Sequence, residues 1–251
     1  MTLTGRVTII TGASQGIGRA YALGFAEQGA SVVIADINES QAETVAKEIS
    51  ENGGRAVAVH CDVSDKESVD TMVSRAVREF GTVDVLVNNA AIFSTLKMRP
   101  FDEIPIEEWE KVFAVNARGV FLTTQAVAPI FKEKKSGKIV NISSSVVTTG
   151  RAEYAHYVAS KGAVESYTRA LATELGPYNV NVNAISPHGI VTEIPRETIT
   201  DDQWAGIIAE QALKRKGTPN DAVGVVLFLA SDASDYVTGQ NLLVDAGLRY
   251  N

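Results

Sequence analysis

Three observations predict an α/β fold, a doubly wound parallel sheet of seven strands with helices on both faces. Short apolar runs alternate with longer stretches of helical periodicity along the whole chain. The runs themselves are hydrophobic almost throughout, as expected of strands covered on both sides. The composition is that of one large core: 251 residues, 45% hydrophobic and 21% charged, with no shift that marks a linker. A single domain over residues 1–251 follows.

In chain order, the first strand is expected at 7–11, followed by a helix at 16–28 that stops at Gly29. A strand at 31–35 leads to a helix at 40–51, whose start is marked by Asn38-Glu39-Ser40. A strand at 56–60 leads to a helix at 66–80, opened by Ser64-Asp65. Strands at 83–88 and 138–142 enclose a long helix at 107–131. A helix at 153–175 ends at Gly176-Pro177 and precedes a strand at 180–185. A helix at 221–231 and a strand at 241–244 complete the pattern. The interval 190–217 breaks the alternation: it is rich in Thr, Glu and Asp, contains Pro195, and has only a weak helical pattern around 203–213. Long excursions at the carboxyl edge of a parallel sheet collect ligand contacts, so this one is expected to form a substrate lid.

A formal charge of -7 argues against nucleic acid or an anionic membrane as the main partner. No apolar run is long enough to span a bilayer, and the start of the chain lacks a signal-peptide pattern, so the expected address is the cytoplasm. The one cysteine, Cys61, excludes an intrachain disulfide framework and reads as a small buried hydrophobe at a strand end. His60, His156 and His188 lack ligand spacing, so no metal site is expected.

The segment from Val7 runs from a buried strand straight into a helix start through Gly12-Ala-Ser14-Gln15-Gly16-Ile17-Gly18. Glycine permits a tight turn and lets backbone N–H groups and the helix dipole approach a pyrophosphate. At the first strand-to-helix junction of an alternating chain, this predicts a Rossmann-like dinucleotide site. Asp36 closes the second strand, where a carboxylate accepts hydrogen bonds from an adenosine ribose. A 2'-phosphate there would meet like charge, about 4 kcal/mol at roughly 4 Å and an effective dielectric near 20 before solvent relaxation. Neither Gln15 nor Ile37 supplies a compensating cation, so NAD(H) is expected over NADP(H).

Tyr157 and Lys161 stand four apart in Tyr-Val-Ala-Ser-Lys, on one face of the helix at 153–175. An ammonium beside a phenol favours the phenolate, which brings the tyrosine toward the working range of a general acid or base.

These features resemble the short-chain dehydrogenase/reductase family over nearly the whole chain. The resemblance rests on Thr11-Gly-Ala-Ser-Gln-Gly-Ile-Gly18, Cys61-Asp-Val63, Asn88-Asn-Ala-Ala91, Asn116, Ser144 with Tyr157 and Lys161, and Pro187-His-Gly-Ile-Val-Thr192. It implies that Asp62 and Val63 border the adenine and that Asn88 and Ala90 flank the cofactor. Pro187, Ile190 and Thr192 help hold the nicotinamide, and Lys161 also bonds its ribose. Family spacing selects Ser144, thirteen residues before Tyr157, over Ser143 and Ser145 as the hydroxyl that bonds the substrate oxygen. Asn116 is implied to hold a water that links Lys161 to solvent. Two positions depart from the family pattern: Ala91 where a glycine is common, and His188 where Pro-Gly is common. The imidazole is open to three roles: entering the space beside the nicotinamide, bonding substrate, or turning to solvent.

The expected activity is hydride transfer between NAD and a secondary alcohol or ketone with a hydrophobic body, including cyclic or aromatic ones. Phe93, Ser94, Val146, Val147, Glu153, His188, Ile194 and Trp204 are the residues expected around the substrate, together with Ser144 and Tyr157. No cluster of Arg or Lys is evident near the site in the sequence, which weighs against phosphorylated or multiply anionic substrates. The runner-up is reduction of a 3-oxoacyl thioester; from another class, a catalytically silent NAD-binding regulator or scaffold. The resemblance further implies a homotetramer.

Overall fold

The computed structural model describes residues 2–194 and 200–250, so Pro195 lies outside the described residues. Its seven strands are β1 (Val7–Thr11), β2 (Ser31–Asp36), β3 (Arg55–His60), β4 (Val85–Asn88), β5 (Gly137–Ile142), β6 (Val180–Pro187) and β7 (Asn241–Val244). They pair in the order β3-β2-β1-β4-β5-β6-β7, every pair parallel. Parallel neighbours need crossover connections, and helices supply them. These are α1 (Gly16–Glu27), α2 (Glu39–Glu51), α3 (Lys66–Phe80), α4 (Ile106–Phe113), α5 (Gly119–Lys134), α6 (Val146–Thr149), α7 (Ala155–Leu175), α8 (Asp201–Glu210) and α9 (Pro219–Ala230).

Alternation along the strands builds two cores. Ile10, Val32 and Ile34 pack with Tyr21, Phe25, Ile49 and Val226 from α1, α2 and α9. Their neighbours Ile9 and Val33 pack on the other face with Met72, Phe131 and Leu171 from α3, α5 and α7. Each such buried side chain contributes about 1.5–3 kcal/mol relative to exposure. Strand order reverses between β1 and β4, which opens a crevice at the carboxyl ends of those strands.

The expected caps form: the Asn38 side chain accepts from the Gln41 N–H at the start of α2, and Asp65 accepts from Ser68 at the start of α3. Several boundaries differ from the sequence reading, each for a local reason. The helix expected at 107–131 contains a π-helical segment, Ala114–Arg118, in which Gly119 N–H reaches back five residues to Ala114. The helix expected from 153 begins at Ala155, because Glu153 adopts φ 66° and breaks the helical path. Beyond Gly176 the chain continues through a 3₁₀ turn, and the left-handed residue that stops it is Asn179. The weak pattern at 203–213 is α8, which starts earlier because Thr200 and Gln203 form a reciprocal capping box.

Candidate active site

The glycine loop leads from β1 into α1 with Gly12 and Gly16 at positive φ. A Cβ on Gly18 would sit 2.0 Å from the Gly12 carbonyl oxygen, so only glycine allows this closeness of loop and helix. Gly12, Gln15, Gly16, Ile17, Gly18, Asp36, Asp62, Val63, Ala90 and Thr192 line one cleft of about 740 Å³. The Asp36 carboxylate is fixed within its wall, accepting N–H bonds from Ser14 and Asn38 at 3.0 Å each. Ser14 is buried, and its hydroxyl has no hydrogen-bond partner among the described residues. Cys61 is also buried, directly after β3, and burial pushes its thiol up to about 12.

A smaller cavity of about 170 Å³ adjoins this cleft through Ile17, Asn89, Ala91 and Phe93, which line both. Its walls bring together Ser144, Tyr157, Lys161, Pro187, His188, Ile190, Val146 and Trp204. Tyr157 is held by its place on α7 and by the Phe93 ring, 4.6 Å away between centroids. The Lys161 ammonium lies 5.9 Å from the Tyr157 ring centroid and donates to the Ile142 carbonyl oxygen at 2.7 Å. Burial lowers its pKa to about 8. Ser144 accepts a 3.4 Å bond from Val146 N–H, which leaves its own hydroxyl proton available to a substrate oxygen. The flanking serines face other groups: Ser143 donates to the Lys161 carbonyl and Glu165, while Ser145 pairs with His188 Nδ1 at 2.6 Å. His188 is therefore turned inward, at the junction of this cavity with an outer one of about 450 Å³.

Two site residues expected from the sequence use their side chains on the scaffold. The Asn88 amide donates to Asn141 at 2.9 Å, and its carbonyl accepts from Thr123 at 2.6 Å, tying β4 to β5 and α5. Asn116, buried in the π segment, grips the Ile92 backbone through both amide atoms and donates to Ser160. Ile194, expected beside the substrate, lies over Gly16 in the large cleft, while Glu153 lines the outer cavity. Of the 190–217 excursion, Ile194 borders the cofactor cleft and Trp204 borders the inner cavity. Glu193 Oε1 accepts the Gly16 N–H at 2.7 Å.

A family model described as Enoyl-(Acyl carrier protein) reductase matches residues 12–249. The 5-keto-D-gluconate 5-reductase of Escherichia coli K12 is 38% identical over 98% of this chain and 96% of its own. A 3-oxoacyl-(acyl-carrier-protein) reductase of Thermotoga maritima is 38% identical over 99% of both chains. Among solved structures, a 7α-hydroxysteroid dehydrogenase complexed with NADH and 7-oxo glycochenodeoxycholic acid superposes with a TM-score of 0.93. It is 34% identical, over 98% of this chain and 95% of that one. The chain belongs to the short-chain dehydrogenase/reductase family.

A nicotinamide dinucleotide, the cofactor of this family, fits the large cleft on its own geometry. The close approach at Gly18 clears a path to the α1 N-terminus, and Gly12, Gly16 and Gly18 all line the cleft; Ser14 does not. Three residues of this short-chain dehydrogenase/reductase went unread in the sequence. Asn89 pins the glycine loop by donating to the carbonyls of Thr11 and Gly12 at 3.0 and 2.8 Å. Ile207 lines both the inner and the outer cavity, and so does Arg151. The Asn88-Asn89 pair offered a signal for Asn89, but nothing in residue order distinguished Arg151 from a solvated loop cation.

Proposed function

We propose that the protein is an NAD-dependent oxidoreductase acting on a secondary alcohol or its ketone, with Tyr157 as general acid and base. The observation that carries this reading is the shared cavity of Ser144, Tyr157 and Lys161, opening directly into the dinucleotide cleft. The bound cofactor supplies or accepts the hydride at its nicotinamide ring. In the reducing direction Tyr157 donates a proton to the carbonyl oxygen as hydride reaches the carbonyl carbon; in oxidation the phenolate takes that proton back. The Ser144 hydroxyl bonds the same oxygen and stabilises its growing negative charge. Lys161 favours the phenolate through its ammonium, and its donors not used on Ile142 hold the ribose. The π segment around Asn116 diverts backbone carbonyls from the usual i+4 pattern, which supports the proton-relay role for this position.

The fixed carboxylate of Asp36 supports NAD over NADP, because a 2'-phosphate would meet uncompensated negative charge there. Phe93, Val146 and Trp204 suit a substrate body with apolar surface, and the described part of the excursion, 190–194 and 200–217, is the proposed lid. No helix among the described residues is long and apolar enough to cross a membrane, and the proposed address is the cytoplasm. The proposed assembly is a homotetramer; exposed Ile106, Trp109 and Phe121 on α4 and α5 offer apolar surface for one interface. An NADH absorbance screen over secondary alcohols and ketones, run in both directions, tests the reaction. Turnover of members of this panel is expected. Tight NADH binding with no turnover of any member would leave only a nucleotide-binding role.

A further inference from the structure

We infer that the substrate is an oxo acid or hydroxy acid whose carboxylate is held by Arg151. This deepens the hydride-transfer reading of the same site. Arg151 stands in the turn between α6 and α7, six residues before Tyr157, and lines both the inner cavity and the outer one beyond His188. Its guanidinium stacks over the Tyr154 ring, 4.9 Å from the centroid. That ring is 1% exposed and packs on Phe93, which packs on Tyr157, so the cation is mounted on the wall that carries the catalytic phenol.

The other Arg and Lys residues lining these cavities have partners: Arg249 approaches Glu210 at 3.9 Å, and Lys161 donates to Ile142. Arg151 makes no hydrogen bond or ion pair with any described residue. Glu153, two residues on and exposed, forms no ion pair with it. The Tyr154 ring accepts no N–H bond in the plane of the guanidinium, so the donor fork that matches a carboxylate is unused by the described residues. A half-buried arginine whose donors lack a protein partner, within a substrate-sized cavity, is a receptor for an anion from outside the chain. The flat two-point geometry selects a carboxylate, and the inner cavity of about 170 Å³ limits what lies between it and the reacting carbon to a short skeleton. The carboxylate takes no part in the electron balance. A ketone and NADH, with one proton from Tyr157, give the secondary alcohol and NAD as before.

The test compares kcat/KM for paired ketones that differ in charge: 4-oxopentanoate against its methyl ester, and 5-oxo-D-gluconate against D-fructose. Alongside it, D-gluconate is titrated calorimetrically into the NADH-loaded enzyme. The acids are expected to be favoured at least about tenfold, mainly through KM. Arg151→Met should lower that preference roughly 10- to 100-fold and weaken gluconate binding to match, with Arg151→Lys retaining part of both. Ester and acid turned over alike, or a preference that survives Arg151→Met, overturns the carboxylate receptor and leaves the hydride-transfer reading intact. Gluconate binding that depends on Arg151 without turnover of any ketone has the opposite result. If there is neither turnover nor gluconate binding, both fall.

Discussion

Lys161 is the residue on which chemistry and stability meet. Burial lowers its ammonium from an ordinary 10.5 to about 8. Below about pH 8 it is protonated in folded and unfolded chains alike. Between about 8 and 10.5 only the unfolded chain holds the proton, so rising pH in this window stabilises the fold through Lys161. Cys61, raised from 9.0 to about 12, acts in the opposite sense once the pH passes about 9, and Tyr167, raised from 10.0 to about 12, once it passes about 10. Urea unfolding of wild type and Lys161→Met across pH 7.5 to 10.5 separates these effects. The stability of Lys161→Met relative to wild type is expected to be greatest near pH 7.5 and to shrink as the pH rises; a constant difference would contradict the buried ammonium. Asp36 makes a second prediction. Asp36→Ala is expected to reduce the NAD-to-NADP ratio of kcat/KM by about tenfold or more, the equivalent of the one or two kcal/mol left after screening. An unchanged ratio would place the discrimination elsewhere. The grouping of Tyr157, Lys161 and Ser144 in one cavity, and of the three glycines along the adjoining cleft, was legible from spacing along the chain. The proposed role of Arg151 was not, because it rests on what surrounds the residue after folding: an aromatic ring beneath it and no ion pair with a described residue.

At the scale of elements, the strands were read to within two residues at either end, because most of them carry short runs rich in buried apolar residues. Helix ends were less legible. The π segment keeps helical periodicity while shifting the hydrogen bonds by one residue, and α6 is only four residues long, too short for any period to show. The 190–217 excursion has a contact with direct consequences: the Glu193 carboxylate accepts the Gly16 N–H at the α1 N-terminus, where a cofactor pyrophosphate would bind. In the proposed reading, cofactor entry exchanges that bond. Glu193→Ala is expected to tighten NADH binding about two- to tenfold in a fluorescence titration. Weaker binding would show that the glutamate serves the bound state instead. Gly18→Ala tests the loop from the other side. Its methyl would collide with the Gly12 carbonyl, so a stability loss of about 1–3 kcal/mol and weakened NADH binding are expected in thermal and binding measurements.

The whole molecule divides its tasks across the sheet. In the proposed reading the β1 to β3 half and its glycine loop take the dinucleotide, while the turns after β5 and β6 carry the groups proposed to act on substrate. Relatives named for sugar-acid reduction and for oxoacyl reduction match the chain over nearly its full length, as expected where one scaffold serves many substrates through its loops. Light scattering is expected to give a mass near four times 26.8 kDa; a monomer would remove the proposed assembly. Tyr157 and Lys161 line the smaller cavity that adjoins the large cleft, and the proposed reading has the two halves cooperate at the Tyr157 phenol. The most direct test follows NADH consumption by wild type and Tyr157→Phe on the best ketone of the screen, with NADH affinity measured on both. Turnover is expected to fall by at least about 10² to 10⁴-fold while NADH affinity stays within about twofold. Near-normal turnover without the hydroxyl would contradict the account at its centre.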